Sequence, residues 1–141
     1  MTLNTIVQIF ASIFVGRTDV WGALHGQAVK VPVTVENYRR HLAGEVSLGI
    51  YPLLWNGLVR WFAIDIDNLD TKLPLAVLEA LRRLGVNKGI HVATSRRKGF
   101  HVIVLLSDWA LAADVRRIAM TALQMAGLPL STEVFPKQDR L

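Results

Sequence analysis

Two carboxylates, Asp65 and Asp67, close the apolar run Trp61-Phe62-Ala63-Ile64-Asp65-Ile66-Asp67 with a single residue between them. In an extended strand alternate side chains share a face, and residues two apart have Cα atoms roughly 6.6 Å apart at about 3.3 Å rise per residue. Both acids can therefore reach one cation cluster. Unpaired, they would repel each other beside apolar neighbours, which raises a carboxylate pKa and calls for compensation. Hard oxygen donors of this kind suit Mg²⁺ or Mn²⁺, and paired divalent ions are the usual device for phosphoryl and nucleotidyl transfer. The same run is also compatible with a strand that simply ends in the polar turn Asn68-Leu69-Asp70.

A second group of residues fits the same chemistry. Ser95, Arg96, Arg97 and Lys98 precede Gly99, and His101 follows two residues later. Three cations, a hydroxyl and a glycine make a cradle for a triphosphate, or else a solvated hairpin turn. Glu133 lies in a late apolar segment with Lys137 four residues on, after Pro136; Lys137 either contacts a phosphate or ends the strand in solvent. A lone histidine on an apolar strand is commonly structural, so His101 takes its interest from this setting. Arg17 and Asp19 are ambiguous in the same way. Trp21, Trp55 and Trp109 read as core or hairpin packing, whereas the parity of Trp61 puts it on the face of the two acids.

The elements that must position these groups follow from periodicity and stop signals. Leu3, Ile6, Val7, Phe10, Ile13 and Phe14 recur at helical steps, as in an amphipathic helix laid on a core. Residues 35–43 form a short helix with Thr34 as N-cap and Gly44 as its stop. The runs 48–54 and 58–67 flank Trp55-Asn56-Gly57, and Asn-Gly is a strong hairpin signal, so they are expected to pair. Helices are expected over 74–84, opened by Pro74 and ended by Gly85, and over 112–126, ended by Gly127. Strands are expected over 90–94, 99–106 and 131–135. The sum is an α+β domain with a mainly antiparallel sheet, helices on one face and the other face open. Alternation sends Phe62, Ile64 and Ile66 to the core with Phe100, Val102, Val104 and Leu106. It leaves Trp61, Ala63, Asp65, Asp67, His101 and Glu133 for the open face.

Composition limits the classes of function. The chain has 141 residues, 52% hydrophobic and 19% charged, which excludes intrinsic disorder and fits one domain, 1–141. Lys and Arg number 16 against 11 Asp and Glu, and the net charge of +5 favours polyanionic partners. The absence of cysteine excludes disulfides, thiolate zinc sites and cysteine nucleophiles, and fits a cytoplasmic protein. Residues 1–16 carry no charged side chain, yet Asn4, Gln8 and Ser12 interrupt them and Arg17 ends them short of the roughly 18 to 20 residues of a membrane span. No basic segment precedes them as in a signal peptide, so no membrane partner is expected.

Taken in order, Asp65-Ile66-Asp67, Gly99-Phe100-His101 and Glu133 resemble the three catalytic motifs of the archaeo-eukaryotic primase superfamily. The closer similarity is to the primase-polymerase domains of prokaryotic mobile elements, TOTE conflict systems and CRISPR-associated loci. It is carried further by Phe14-Val15-Gly16-Arg17-Thr18-Asp19-Val20, His41-Leu42-Ala43-Gly44, Leu48-Gly49-Ile50-Tyr51-Pro52-Leu53-Leu54 and Phe135-Pro136-Lys137-Gln138-Asp139. The resemblance implies an RRM-like catalytic core and a template-dependent nucleotidyltransferase that makes or extends primers from nucleoside triphosphates with Mg²⁺ or Mn²⁺. It implies Asp65, Asp67 and Glu133 as metal ligands, and His101 as a triphosphate contact supported by Ser95, Arg97, Lys98 and Lys137. The implied partners are a DNA template and primer, and helicase or nuclease modules of the same element.

Three features depart from the pattern. The second motif is one residue shorter than the Ser-Arg-Ser-Gly-x-Gly-x-His of many relatives. A Cys-rich zinc insertion is absent. The chain stops at Leu141, just after the third motif, where full catalytic domains continue, as a truncated domain would. Two other classes remain: a metal-dependent nuclease built on Asp65, Asp67 and the Glu133 to Lys137 pair, and a catalytically silent RRM-like nucleic-acid-binding module that keeps the basic loop and open face without needing the acids.

Overall fold

A computed structural model describes residues 1–96 and 98–141. The elements run α1 (Leu3–Ile13), β1 (Trp21–Gly22), a single 3₁₀ turn (Leu24–Gly26), β2 (Ala28–Val29), α2 (Val35–Leu42), β3 (Leu58–Ile66), α3 (Lys72–Arg83), β4 (Ile90–Ser95), β5 (Gly99–Leu111), α4 (Ala112–Ala126) and β6 (Glu133–Phe135). Four strands form an antiparallel sheet in the order β4-β5-β3-β6, and β1 and β2 make a separate ribbon. The domain is α+β, as the alternation of periods predicts.

The core lies on one face of the sheet. Phe62, Ile64 and Ile66 of β3 and Val102 and Val104 of β5 are almost wholly buried with Val77 and Leu81 of α3 and Val115, Ala119 and Leu123 of α4. These residues recur at period two in the strands and at three and four in the helices, so burial selects both periods together. Helix α2 starts at Thr34, whose hydroxyl accepts from the Asn37 amide while the Asn37 side chain accepts from the Thr34 amide. Helix α3 begins two residues before Pro74. Asp70 Oδ1 accepts from the Lys72 amide at 3.0 Å, and the missing N–H of Pro74 falls in the first turn, where no helical partner is needed.

The expected pairing of 48–54 with 58–67 does not form. Leu54 donates to the Leu58 carbonyl at 3.1 Å and Gly57 to the Leu54 carbonyl at 3.0 Å, so the Asn-Gly turn closes, but the runs then part. Both edges of β3 are taken by β5 and β6. Pro52 has no amide to offer a ladder, the Tyr51 carbonyl accepts from the Arg17 amide at 2.9 Å, and Gly49 exchanges two 2.7 Å hydrogen bonds with Gly22. A Cβ on Gly49 would sit 3.4 Å from the Gly22 backbone, so these two chains meet closely without side chains between them. The apolar residues of 48–54 are thus buried by packing rather than by strand pairing, with Leu53 joining the core.

Two further boundaries differ from expectation. Strand β5 runs five residues past 106, with a bulge: partners of β3 jump from Ala110 opposite Val59 to Leu105 opposite Trp61. The last strand begins at Glu133 rather than 131. The N-terminal segment also changes the picture of the sheet. Helix α1 packs on α2 through Phe10, whose ring lies 6.0 Å from Tyr38 and 5.7 Å from His41. Of α1 only Val7 is fully buried, while Leu3, Ile6, Ile9 and Ile13 remain exposed. Beyond the helix, Phe14 meets Trp61 edge-on at 5.5 Å, and the Val15 carbonyl accepts from Trp61 Nε1 at 2.9 Å. The face opposite α3 and α4 is therefore covered at Trp61 and open toward Asp65. Among the described residues no helix is long and apolar enough to cross a membrane.

Candidate active site

Strand register gathers the candidate residues into one row across the open face. Asp65 pairs with His101 of β5 on one side and with Glu133 of β6 on the other, and His101 pairs in turn with Ala93 of β4. Asp67 stands one residue beyond β3 and is exposed. Its parity with Asp65 keeps it on the same face. Ser95 ends β4 opposite Gly99, and the Lys98 amide donates to the Ser95 carbonyl at 2.7 Å, closing the turn. Arg96 takes a left-handed backbone, φ 39°, in that turn. Arg97, also expected near a triphosphate, lies outside the described residues.

The electrostatics centre on Asp65. Its side chain is 19% exposed, and its Oδ1 is buried with no hydrogen-bond partner among the described residues. His101 Nε2 stands 3.2 Å from that oxygen, within ion-pair distance. Burial pushes the Asp65 carboxyl above the ordinary carboxylate range; the His101 charge pulls it down, and Asp67 and Glu133 push it up again. Desolvation with two like-charged neighbours outweighs one partly exposed histidine. The donor set is thus an underneutralised group of hard oxygens, which a divalent cation would relieve.

Glu133 is turned elsewhere. Its Oε1 lies 3.2 Å from Lys137 Nζ, which also sits 5.1 Å from the Phe135 ring centroid. Among the described residues no three His, Asp or Glu side chains converge closely enough to hold an ion. The backbone register brings Asp65, His101 and Glu133 together; the side chains of Asp67 and Glu133 point to solvent and to Lys137.

Two features escaped the sequence reading. Arg116 of α4 donates through Nη1 to the Pro136 carbonyl at 2.7 Å and pairs through Nε with Asp139 at 2.8 Å, tying the segment after β6 to the helix. It lines a cleft of about 220 Å³ with Met120, Thr132, Glu133 and Lys137. No local signal marks it, because its partners lie 20 and more residues away. Gly99, expected to lend flexibility to a phosphate loop, is instead a contact point: a Cβ there would fall 1.8 Å from the Ile66 carbonyl oxygen.

Compared with known families, residues 25–141 match the family described as TOTE conflict system, Archaeo-Eukaryotic Primase domain. The matched span includes Asp65, Asp67, His101 and Glu133 and begins after the Phe14 to Val20 motif. No curated protein matches the chain significantly.

Proposed function

Because the chain belongs to the archaeo-eukaryotic primase domain family of TOTE conflict systems, we propose that it is a primase-polymerase. It transfers nucleotides from nucleoside triphosphates to a primer 3′-hydroxyl opposite a nucleic-acid template. The observation that carries this reading is the row across β5, β3 and β6, with the buried Asp65 Oδ1, which has no hydrogen-bond partner among the described residues, at its centre.

The residues present fit a divalent cation at Asp65: a buried carboxylate oxygen with no hydrogen-bond partner among the described residues, Asp67 and Glu133 near enough to push its carboxyl up, and no competing thiolate, since the chain has no cysteine. Held by Asp65 and Asp67, with Glu133 completing the set, Mg²⁺ or Mn²⁺ would supply Lewis-acid stabilisation of the charge that develops on the transferring phosphate. Asp65 is the rigid member of the set, because both its neighbouring strands fix its backbone. His101, 3.2 Å from Asp65 Oδ1, presents an imidazole N–H donor to the triphosphate from the same row. Ser95 and Lys98 bring a hydroxyl and a cation to the phosphates from the adjoining turn. Lys137, 3.2 Å from Glu133 Oε1 and exposed, would offer its ammonium to a phosphate oxygen from the same side of the site. A DNA template and primer are the proposed partners, with helicase or nuclease modules of the same element, in the cytoplasm.

Templated extension of a labelled primer tests this reading, with dNTPs or NTPs and either Mg²⁺ or Mn²⁺. Wild type is expected to extend the primer, and the Asp65→Ala, Asp67→Ala double variant to lose extension by at least about 1,000-fold. Cleavage of the strand without triphosphates would replace the polymerase with a nuclease. Extension that survives the double variant would remove the metal assignment.

A further inference from the structure

Two arginine–tryptophan stacks stand at the end of the sheet remote from Asp65. The Arg17 guanidinium carbon lies 5.2 Å from the Trp55 ring centroid, and that of Arg60 lies 5.5 Å from the Trp109 ring. Trp55 is 77% exposed and Trp109 39%, whereas Trp61, the tryptophan whose parity suggested a free aromatic, is 8% exposed beneath Phe14 and Val15. The fold brings the two stacks to the same end of the sheet. Trp55 sits in the turn that leads into β3, Trp109 two residues before the end of β5. Leu58 pairs with Leu111 there, and the Ala112 amide donates to the Gly57 carbonyl at 2.8 Å.

Both cations are fixed. Arg17 makes two hydrogen bonds to Asp19, at 3.0 and 2.7 Å, and its amide is held by the Tyr51 carbonyl. Arg60 Nη2 reaches the Ser107 carbonyl at 3.5 Å, while its buried Nε has no hydrogen-bond partner among the described residues. Asp19 is paired with Arg17, and Asp108 Oδ1 accepts from the Trp109 amide at 2.7 Å. Each guanidinium covers one face of its indole, and the exposure of Trp55 leaves its other face in water.

We infer that Trp55 and Trp109, backed by Arg17 and Arg60, form a stacking platform for unpaired bases of single-stranded nucleic acid. An indole held rigid by a cation on one side offers its other face to any base, and stacking of this kind needs no sequence readout. The phosphates between such bases meet a chain of net charge +5. The choice of nucleic acid over a protein partner rests on the template-directed function proposed above. The start of β3 at that end, Leu58, lies roughly 23 Å from Asp65, seven residues at about 3.3 Å each. That is about seven nucleotides of stacked strand at ~3.4 Å rise, so the platform would hold the unpaired strand away from the reacting end.

Fluorescence anisotropy of a labelled 20-nucleotide oligo-dT, in EDTA without triphosphate, tests this for wild type, Trp55→Ala, Trp55→Phe, Trp109→Ala and the Asp65→Ala, Asp67→Ala variant. Trp55→Ala is expected to weaken binding about tenfold and Trp109→Ala severalfold, with Trp55→Phe within about threefold of wild type. On an abasic strand of equal length wild type and Trp55→Ala should bind alike. Trp55 is exposed enough that its variants should keep wild-type circular dichroism, and the loss expected of Trp109→Ala carries the test if Trp55→Ala does not fold. No binding by wild type, Trp55→Ala within twofold of wild type on oligo-dT, or an equal loss on the abasic strand would overturn the inference. The first two outcomes would leave the exposed indoles to a protein partner. Trp55-dependent binding that persists in the Asp65→Ala, Asp67→Ala variant, together with absent primer extension by wild type, would uphold the platform while the proposed polymerase fails.

Discussion

Replacing Gly99 by alanine should damage the site through a steric contact alone. The added Cβ would fall 1.8 Å from the Ile66 carbonyl oxygen, 2.8 Å from the Asn68 amide nitrogen and 2.9 Å from the Ile66 carbonyl carbon. All three are backbone atoms, so no side chain can swing aside. Restoring an ordinary contact of 3.4 Å requires the end of β3 to recede by about 1.6 Å, and that end carries Asp65 and Asp67. Overpacking at the upper end of its usual range costs about 3 kcal/mol, which lowers Tm by roughly 10 °C for a chain of this size. A displacement beyond 1 Å at the reacting residues costs about 100-fold or more in rate. Gly44→Ala is the matched control. It has a left-handed backbone, φ 78°, with no atom within 4 Å of the new Cβ, so it should cost only about 1 kcal/mol and leave primer extension within about threefold. Thermal melts and initial extension rates of the two variants decide the matter. Equal melts and equal rates would refute the contact argument and with it the coupling of Gly99 to the acids.

Other substitutions separate the remaining parts of the account. Since the folded-state pKa of Asp65 is raised, the folded chain binds its proton more tightly than the unfolded chain. Stability should therefore fall as pH rises from about 4 through the raised value, and Asp65→Asn should melt higher than wild type at neutral pH in EDTA; a lower melt at every pH would reject the desolvation argument. Lys137→Ala should raise the KM for triphosphate about tenfold with kcat within about threefold, as removal of a charge-assisted phosphate contact requires, and an unchanged KM in steady-state kinetics would confine Lys137 to its pair with Glu133. Trp61→Ala should destabilise by about 3 to 5 kcal/mol in urea unfolding, because it empties a buried site and orphans the Val15 carbonyl, against less than about 0.5 kcal/mol for Trp55→Ala. Similar losses for the two would contradict the assignment of covered and free indoles.

The face of Asp65, His101 and Glu133 was legible because the core residues between them are apolar and alternate strictly, so parity alone sorts them. Which of them stand opposite one another was not, since Asp65 to Glu133 is a long-range register that local pattern does not encode. The segment 48–54 misled for a related reason: apolar content and an Asn-Gly turn signal a hairpin, but Pro52 and the Gly22 to Gly49 contact divert the backbone bonds elsewhere. The tryptophans were sorted in reverse. Trp61 has the parity of an open face, yet a segment 46 residues earlier in the chain covers it, while Trp55 beside the turn stays exposed. Arg116 and its hold on Pro136 and Asp139 were invisible, because a basic residue on an amphipathic helix ordinarily faces solvent.

Binding of Mn²⁺, followed by loss of the free-ion signal in electron paramagnetic resonance with protein alone, tests the central claim most directly. The row around Asp65 predicts that wild type binds Mn²⁺ and that Asp65→Ala loses it by at least about 100-fold, with Asp67→Ala weakened as well. Equal Mn²⁺ affinity in wild type and Asp65→Ala would contradict a divalent-cation site on this strand.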